Sequence, residues 1–208
     1  MTRPHLVVKF GGSLHASPRR DPWLSALARW PHRLTLVCGG GPFADAVRAA
    51  QPVMGLSEVA AHGMALLAME QYALALADLH PALALADDPA QIGAAHVAGR
   101  IALWRPYAMV SRADDVEARW QVTSDSLAAW LARRLAADAL LVVKSVDAVS
   151  GAELVSRDIV DPAFPAYSAG LGVYVAGPAA LDGAPAQLAK GALPGARIDF
   201  PALVETRT

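Results

Sequence analysis

Short apolar runs and longer segments of helical periodicity alternate along the chain. The first two apolar runs pass directly into glycines, and each is followed by a helix-like segment. Strands that alternate with helices indicate βαβ units and a mainly parallel sheet. The predicted strands are His5–Phe10, Leu34–Cys38, Ile101–Leu103, Ala139–Val143 and Gly172–Ala176.

Two segments show a clear helical period. In Ser57–Leu79, apolar residues recur every three or four positions and predict one buried face, formed by Met64, Ala68, Tyr72, Leu76 and Leu79. In Asp125–Ala136 the equivalent face consists of Leu127, Trp130, Leu131 and Leu135. Proline and glycine cluster over residues 161–195, which predicts loops and short elements there. We predict a single domain over residues 1–208 with an α/β fold, a three-layer αβα sandwich around a mainly parallel open sheet.

Composition supports a sheet buried on both faces and excludes several classes of protein. Apolar residues make up 54% of the chain and charged residues 18%, below the roughly 25% charge typical of soluble domains. A net charge of −1 gives no reason to expect nucleic acid or an anionic membrane as a partner. The most apolar stretch, Met64–Leu85, is interrupted by Glu70, Gln71, Asp78 and His80, so no membrane span is expected. The N-terminus lacks a signal-peptide pattern, and the one cysteine excludes an internal disulfide; we expect a cytoplasmic protein.

Two junctions between a strand and a glycine run are the strongest local signals. The first is Lys9-Phe10-Gly11-Gly12-Ser13, and the second is Cys38-Gly39-Gly40-Gly41-Pro42. Glycines between a parallel strand and a helix let backbone N–H groups approach phosphate oxygens. Neither run is a Walker A loop or a dinucleotide fingerprint, and tight turns without a ligand are the alternative. The candidate phosphate-binding residues are Gly11, Gly12, Ser13, Gly40 and Gly41.

Three charged residues are candidates for catalysis. Lys9 lies inside an apolar strand, where an unpaired ammonium group would cost several kcal/mol, so it is expected to meet an anion. Asp125 opens a helix at the carboxyl edge of the sheet and could bind Lys9, although helix capping explains it as well. Lys144 repeats the pattern of Lys9 at the end of another strand. Together they would form a site for phosphoryl transfer.

Further candidates would bind a substrate. His62, Trp120, Thr123 and Ser124 precede or open the two periodic helices; a core or capping role is the alternative for His62, and packing for Trp120. The six histidines have no metal-ligand spacing, so we expect no metal held directly by the protein.

Three blocks of sequence, in order, resemble the amino-acid kinase superfamily, which includes acetylglutamate, aspartate, uridylate and isopentenyl phosphate kinases. The blocks lie within residues 5–149 and are VVKFGGS, VCGGGPFADAVR and VTSDSLAAWLARRLAADALLVVKSVDAV. Within the superfamily, HGMALLAMEQYALAL, WQVTSDSLAAWLA and GALPGARI look most similar to the short kinases of methanofuran biosynthesis and their methylotroph relatives. Those kinases phosphorylate [5-(aminomethyl)furan-3-yl]methyl phosphate to the diphosphate.

The resemblance implies a role for each matched residue. Lys9 would contact the transferring phosphoryl group, the glycines would supply backbone donors, and Asp125 would orient the catalytic lysine. Ser145 and Asp147, in KSVDAV, would border the nucleotide, with Lys144 near its phosphates. Many relatives have TDVDG where this chain has KSVDA, and many carry a second catalytic lysine in a late glycine-rich loop. Lys190 is the late lysine here, in AQLAKGALPG, so either Lys144 or Lys190 could take that role.

The function expected from these observations is that of an ATP- and Mg²⁺-dependent small-molecule kinase acting as a homo-oligomer. An acceptor that is a phosphate monoester would need no general base, whereas an alcohol would need one, with His62 or Asp125 as the candidates. The alternative is a non-catalytic protein on the same fold that binds a nucleotide or another anion for storage or regulation.

Overall fold

The described residues, 4–147 and 150–200 of a computed structural model, form a seven-stranded sheet. The strand order is β3-β4-β2-β1-β5-β6-β7, and all neighbours are parallel except β6 and β7. The strands are β1 His5–Phe10, β2 Arg33–Cys38, β3 Leu83–Ala86, β4 Ile101–Trp104, β5 Ala139–Val143, β6 Val173–Ala176 and β7 Ala196–Ile198.

Helices cover both faces of the sheet and bury its alternate side chains in two apolar cores. Val7 faces one core together with α6, and Leu6 and Val8 face the other together with α1. This arrangement confirms the predicted αβα fold. The helices are α1 Arg20–Leu27, α2 Gly41–Met54, α3 Glu58–Leu79, α4 Pro89–Val97, α5 Tyr107–Val110, α6 Ser124–Arg134, α7 Gly151–Ser156, α8 Phe164–Ser168 and α9 Ala184–Ala189, with short 3₁₀ turns at Gly12–Ala16 and Pro178–Ala180.

The middle of the sheet positions the candidate catalytic residues. β1 lies between β2 and β5, and Lys9 is paired in register with Val37 on one side and Val142 on the other. Because the three strands are parallel, the glycine turns after β1 and β2 and the lysine after β5 come out at the same edge. Ligands bind at this carboxyl edge in open α/β sheets.

The face of α3 that is buried differs from the predicted one. Met64 and Leu79 are 37% and 53% exposed, so the prediction was wrong for both. Contact with α2 as well as with the sheet spreads the buried positions around the helix, and Ala61, Leu66 and Met69 join the core instead. Among the described residues, α3 is the one helix long and apolar enough to cross a bilayer, but it packs against the sheet as core helices do.

Two strands of the sheet were missed by the sequence reasoning. β3 follows α3 within one continuous apolar stretch, where strand and helix positions look alike. β7 is a three-residue edge strand with two exposed residues, so it lacks an apolar run. The predicted short elements over residues 161–195 are present. Helix α6 ends at Arg134, two residues earlier than expected, and Ala136 shortly after it adopts a φ of 46°.

Candidate active site

One buried carboxylate holds two buried ammonium groups at the carboxyl edge of the sheet. The Lys9 Nζ lies 2.8 Å from Asp125 Oδ1. The Lys144 Nζ donates to Asp125 Oδ1 at 2.7 Å and to Oδ2 at 2.9 Å. All three side chains are less than 10% exposed, so the ion pairs form in a region of low dielectric constant.

The charges in this cluster do not cancel. Burial alone would raise the pKa of Asp125, but Lys144 and Lys9 outweigh it and hold that pKa at about 2. Burial lowers the pKa of Lys144 to about 8, and the neighbouring Lys9 ammonium acts in the same direction, against the attraction of Asp125. At neutral pH the carboxylate is therefore ionised and outnumbered by cationic groups. Such a cluster is suited to bind an anion.

Asp161 positions Asp125, and the sequence reasoning did not identify it. Asp161 Oδ2 accepts the N–H groups of Thr123 at 2.9 Å and of Ser126 at 3.0 Å, so it caps the first turn of α6. Its own N–H donates to Asp125 Oδ2 at 3.3 Å. The explanation of Asp125 as a simple helix cap is thus wrong, because the cap comes from a residue 36 positions away in sequence. An Asp followed by proline gives no local signal for such a role.

The glycine turns pack against one another, and this explains part of their sequence. A Cβ on Gly12 would lie 2.7 Å from the backbone nitrogen of Gly41, and one on Gly39 would lie 2.7 Å from that of Gly12. The Gly11 N–H donates to Val143 O at 3.0 Å, so it is not free for a phosphate and that prediction is corrected. Within the described part of the chain, the N–H groups of Gly12, Gly40 and Gly41 make no hydrogen bond. They remain candidates for phosphate donors at the N-terminus of α2.

The loop after β5 is held by its own hydrogen bonds. Ser145 Oγ lies 2.9 Å from Ser13 Oγ, which joins this loop to the turn after β1. Asp147 Oδ1 accepts the N–H of Ala179 at 3.1 Å, so one oxygen of this nucleotide candidate is already engaged. Ala148, the last residue of the KSVDA comparison, lies outside the described residues. Lys190 is exposed at the end of α9, which packs against α1, so Lys144 is the lysine that joins Lys9 at Asp125.

A cavity of about 370 Å³ opens beside the glycine turns. The remaining candidates, His62, Trp120, Thr123 and Ser124, all line it. Its size falls in the range typical of small-molecule sites, about 300–1,000 Å³. The apolar lining consists of Ala44, Ala65, Leu66, Met69, Val122 and Leu127, and the charged lining of Asp45, Arg48, Glu58 and Arg119, with His15 beside Gly12.

Trp120 is fixed in the wall of the cavity by polar contacts. Its Nε1 donates to Gln51 Oε1 at 2.5 Å, and Gln51 Nε2 donates to Glu58 Oε1 at 2.8 Å. The Arg48 guanidinium lies 4.4 Å from the centre of the indole ring, a cation–π geometry. In contrast, His62 Nε2 is buried and has no hydrogen-bond partner among the residues that the structure describes. Burial lowers the pKa of His62, which favours the neutral imidazole at pH 7.

Comparison with known proteins agrees with this geometry. The sequence profile of the amino acid kinase family matches residues 4–156. The chain is 26% identical to the [5-(aminomethyl)furan-3-yl]methyl phosphate kinase of Methanocaldococcus jannaschii over 147 residues, which are 69% of this chain and 67% of that protein.

Solved structures of similar fold include two kinases of one nucleotide. Uridylate kinase from Archaeoglobus fulgidus superposes with a TM-score of 0.67 at 18% identity, covering 93% of this chain and 99% of that one. UMP kinase from Bacillus anthracis superposes with a TM-score of 0.65 at 17% identity, covering 97% and 98%. At 17–18% identity these matches show a shared fold and nothing more. The family profile, in contrast, matches most of the sequence and shows the family. The chain belongs to the amino acid kinase family and is a kinase.

Proposed function

We propose that this kinase transfers the γ-phosphoryl group of ATP to a phosphate monoester, with [5-(aminomethyl)furan-3-yl]methyl phosphate as the acceptor. The products are ADP and the acceptor diphosphate. The observation that carries the proposal is the pairing of Lys9 and Lys144 on one buried carboxylate, Asp125, next to the glycine turns and the cavity. The acceptor is taken from the name of the Methanocaldococcus jannaschii relative.

The two lysines supply the positive charge that phosphoryl transfer needs. An ionised oxygen of the acceptor phosphate attacks the γ-phosphorus, and the bond from that phosphorus to the bridging oxygen of ADP breaks. Charge develops on the transferring oxygens, and ammonium groups held rigidly beside them stabilise it. Asp125 keeps both ammonium groups in place through its contacts with Lys9 and Lys144. Loss of either lysine would therefore affect the chemical step more than the binding of substrate.

No residue needs to act as a general base. A phosphate monoester has its second pKa near 6, so the attacking oxygen is already ionised at pH 7. Asp125 cannot take that role, because both its oxygens accept hydrogen bonds from Lys144 and its pKa is about 2. The sequence reasoning had kept it as a base for an alcohol acceptor, and the geometry argues against that role.

The donor set fits a triphosphate. Gly12, Gly40 and Gly41 offer backbone N–H groups, and the lysine pair offers cationic ones. No group of three or more His, Cys, Asp or Glu side chains in the described residues could hold a metal ion. Mg²⁺ bound to phosphate oxygens and water would supply additional charge neutralisation. Ser145 and Ser13, whose hydroxyl oxygens lie 2.9 Å apart, would also border the phosphates.

Direct assay of phosphoryl transfer tests the proposal. The protein is incubated with Mg²⁺-ATP and [5-(aminomethyl)furan-3-yl]methyl phosphate, and ³¹P NMR follows the appearance of a diphosphate doublet. UMP, isopentenyl phosphate and the dephosphorylated furan alcohol serve as competing acceptors. We expect the highest kcat/KM with the furan phosphate and no product from the alcohol. Transfer to UMP alone, or to the alcohol at a similar rate, would overturn the proposal.

We also propose that the kinase is a cytoplasmic homo-oligomer that assembles through α2 and α3. Several large apolar side chains on these helices are exposed: Val53, Met54, Val59, Leu67 and Leu74. Sedimentation velocity of the wild type and of a Leu67→Glu, Leu74→Glu variant tests the assembly. A wild-type monomer would refute it.

A further inference from the structure

The imidazole of His15 lies where the two glycine turns meet. His15 belongs to the 3₁₀ turn Gly12–Ala16 after β1, and it lines the cavity together with Gly12, Gly40 and Gly41. A Cβ on Gly41 would lie 3.7 Å from the Cβ of His15 and 3.8 Å from its Cγ. The ring therefore lies against the start of α2, beside the three glycines whose N–H groups make no hydrogen bond in the described residues.

The two nitrogens of this ring have different surroundings. Nδ1 lies 3.0 Å from Gly12 O, and because a carbonyl oxygen only accepts, Nδ1 carries a proton. Nε2 makes no hydrogen bond within the part of the chain that the structure describes, yet it is not one of the buried side-chain atoms that lack a partner. Nε2 is therefore an accessible, unused nitrogen on a residue that lines the cavity.

A ring held in this way can bind a phosphate in either protonation state. The neutral ring accepts at Nε2 from the P–OH group of a phosphate monoanion, and the protonated ring donates from Nε2 to a dianion. A phosphate monoester is present in both forms near neutral pH, since its second pKa is near 6. The carboxylates that line the cavity, Asp45 and Glu58, accept hydrogen bonds from Arg48 and Gln51, and neither is paired with His15 in the described residues.

Short contacts connect His15 to the catalytic cluster. Gly12, whose carbonyl accepts from His15, packs against Gly39, where a Cβ would lie 2.7 Å from the nitrogen of Gly12 and 3.3 Å from Ser124 Oγ. Ser124 directly precedes Asp125, the carboxylate that holds both lysines. A phosphate beside the imidazole would therefore lie close to the ammonium groups that serve the transfer.

The wall of the cavity indicates which phosphate His15 reaches. Ser145 and Asp147, the candidates that would border the nucleotide, do not line the cavity. Trp120 and Thr123, the candidates for binding the substrate, do line it. The cavity thus suits the acceptor, and His15 lies in its wall beside the glycine turns.

Resting on the proposed function, we propose that His15 is a specificity-determining residue that binds the phosphate group of the acceptor through Nε2, while Gly12 O holds Nδ1. Nε2 contacts one oxygen of that phosphate, and another oxygen attacks the γ-phosphorus of ATP. His15 thereby favours a phosphate monoester over the corresponding alcohol, which has no oxygen left to bind the imidazole once its hydroxyl attacks.

Replacement of His15 by asparagine and by glutamine separates the two nitrogens. The amide of asparagine corresponds in position to Nδ1, and that of glutamine to Nε2. His15→Asn should keep the melting temperature but raise KM for the furan phosphate by about tenfold to a hundredfold, the range for a hydrogen bond to a charged group. The kcat should change little, because the contact binds ground state and transition state alike. His15→Gln, whose amide can still donate to the phosphate, should recover most of this loss, and KM for ATP should be unchanged in both variants.

The same two substitutions at His32, which lies outside this cavity, serve as the control and should change neither KM. A wild-type KM in His15→Asn together with a lower melting temperature in His15→Gln would assign the ring a structural role through Nδ1, and would overturn the inference. A rise in KM for ATP instead of the acceptor would place the imidazole at the nucleotide and would overturn it as well.

A measurement without turnover keeps this inference separate from the proposed function. The ¹⁵N NMR signal of His15 Nε2, assigned by its absence in His15→Gln, is followed while inorganic phosphate is added to the full chain. We expect a saturable shift of this signal and none for His32 Nε2. An unchanged His15 signal would overturn the inference. A shifted signal in a protein that does not phosphorylate the furan phosphate would overturn the proposed function and support the phosphate contact of His15.

Discussion

Replacement of Lys144 by methionine tests the central feature of the site, a buried cation held beside another cation. Methionine is similar in length and carries no charge. The structure gives Lys144 a pKa of about 8, compared with its usual 10.5. The difference corresponds to about 3 kcal/mol, by which the folded protein disfavours the charged lysine relative to the unfolded chain. The shared carboxylate offsets burial and the repulsion from Lys9 only in part.

The sign of the effect on stability follows from proton counts. Between pH 8 and 10.5 the unfolded chain binds more protons at Lys144 than the folded protein does, so the free energy of unfolding rises with pH. By pH 10 most of the difference of about 3 kcal/mol has been regained. Lys144→Met lacks this contribution from the titration of Lys144. Urea unfolding from pH 7 to 10 should therefore show a wild type that gains stability relative to the variant.

Activity provides the second measurement. If the cationic form of Lys144 stabilises the transferring group, kcat/KM for ATP should fall above about pH 8. At saturating ATP the fall should move to higher pH, because the anionic phosphates favour the charged lysine. Lys144→Met should lower kcat by about 10²–10³, and Lys190→Met should not. Parallel stability curves, or a wild-type rate in the Lys144 variant, would refute the reasoning.

The remaining predictions concern three neighbours of Lys144. Lys9→Ala should lower kcat by about 10²–10³ in a protein that still folds, as steady-state kinetics and circular dichroism would show; near wild-type turnover would contradict its role. Asp125→Asn should lose about 3 kcal/mol of stability as well as at least tenfold in rate, because two buried ammonium groups lose their counter-ion. A variant with the melting temperature and rate of the wild type would contradict the role of Asp125 as the counter-ion of both lysines. Gly12→Ala should lower the melting temperature, because its Cβ would lie 2.7 Å from the backbone of Gly41, whereas a Cβ on Gly93 meets nothing within 4 Å and Gly93→Ala should not. Equal melting temperatures in the two glycine variants would argue against close packing of the turns.

The local sequence pattern was sufficient to predict the strands that position the site. Apolar runs that end in glycine or lysine predicted β1, β2 and β5, and parallel connection brings the ends of such strands to one edge. Lys9 was expected to need an anion because its strand is buried, and burial of an unpaired charge is costly at any position. Each inference depends on a property of one segment, either its apolar run or the cost of burying its charge. Such a property can be inferred from the sequence of that segment alone.

The partners within the site depended on distances between remote segments. Asp161 lies 36 residues from Asp125, and nothing in its own neighbourhood indicates that it caps α6. Gly11 was expected to bind phosphate, but the register of β1 beside β5 directs its N–H to Val143 O. The choice between Lys144 and Lys190 was open for the same reason, since the sequence does not show which of the two lysines reaches Asp125.

By itself, then, the sequence determined five of the seven strands found in the described residues, the order of the glycine turns and the need of Lys9 for a counter-ion. Only the tertiary structure decided that Asp125 serves two lysines, that Gly12 and Gly39 are required where two turns touch, and that His62 Nε2 is buried with no hydrogen-bond partner among the described residues. The physical reason is that strand formation and the cost of burying a charge are properties of a segment. Hydrogen-bond partners and close packing are properties of pairs of segments, and the chain's sequence does not state which pairs will meet.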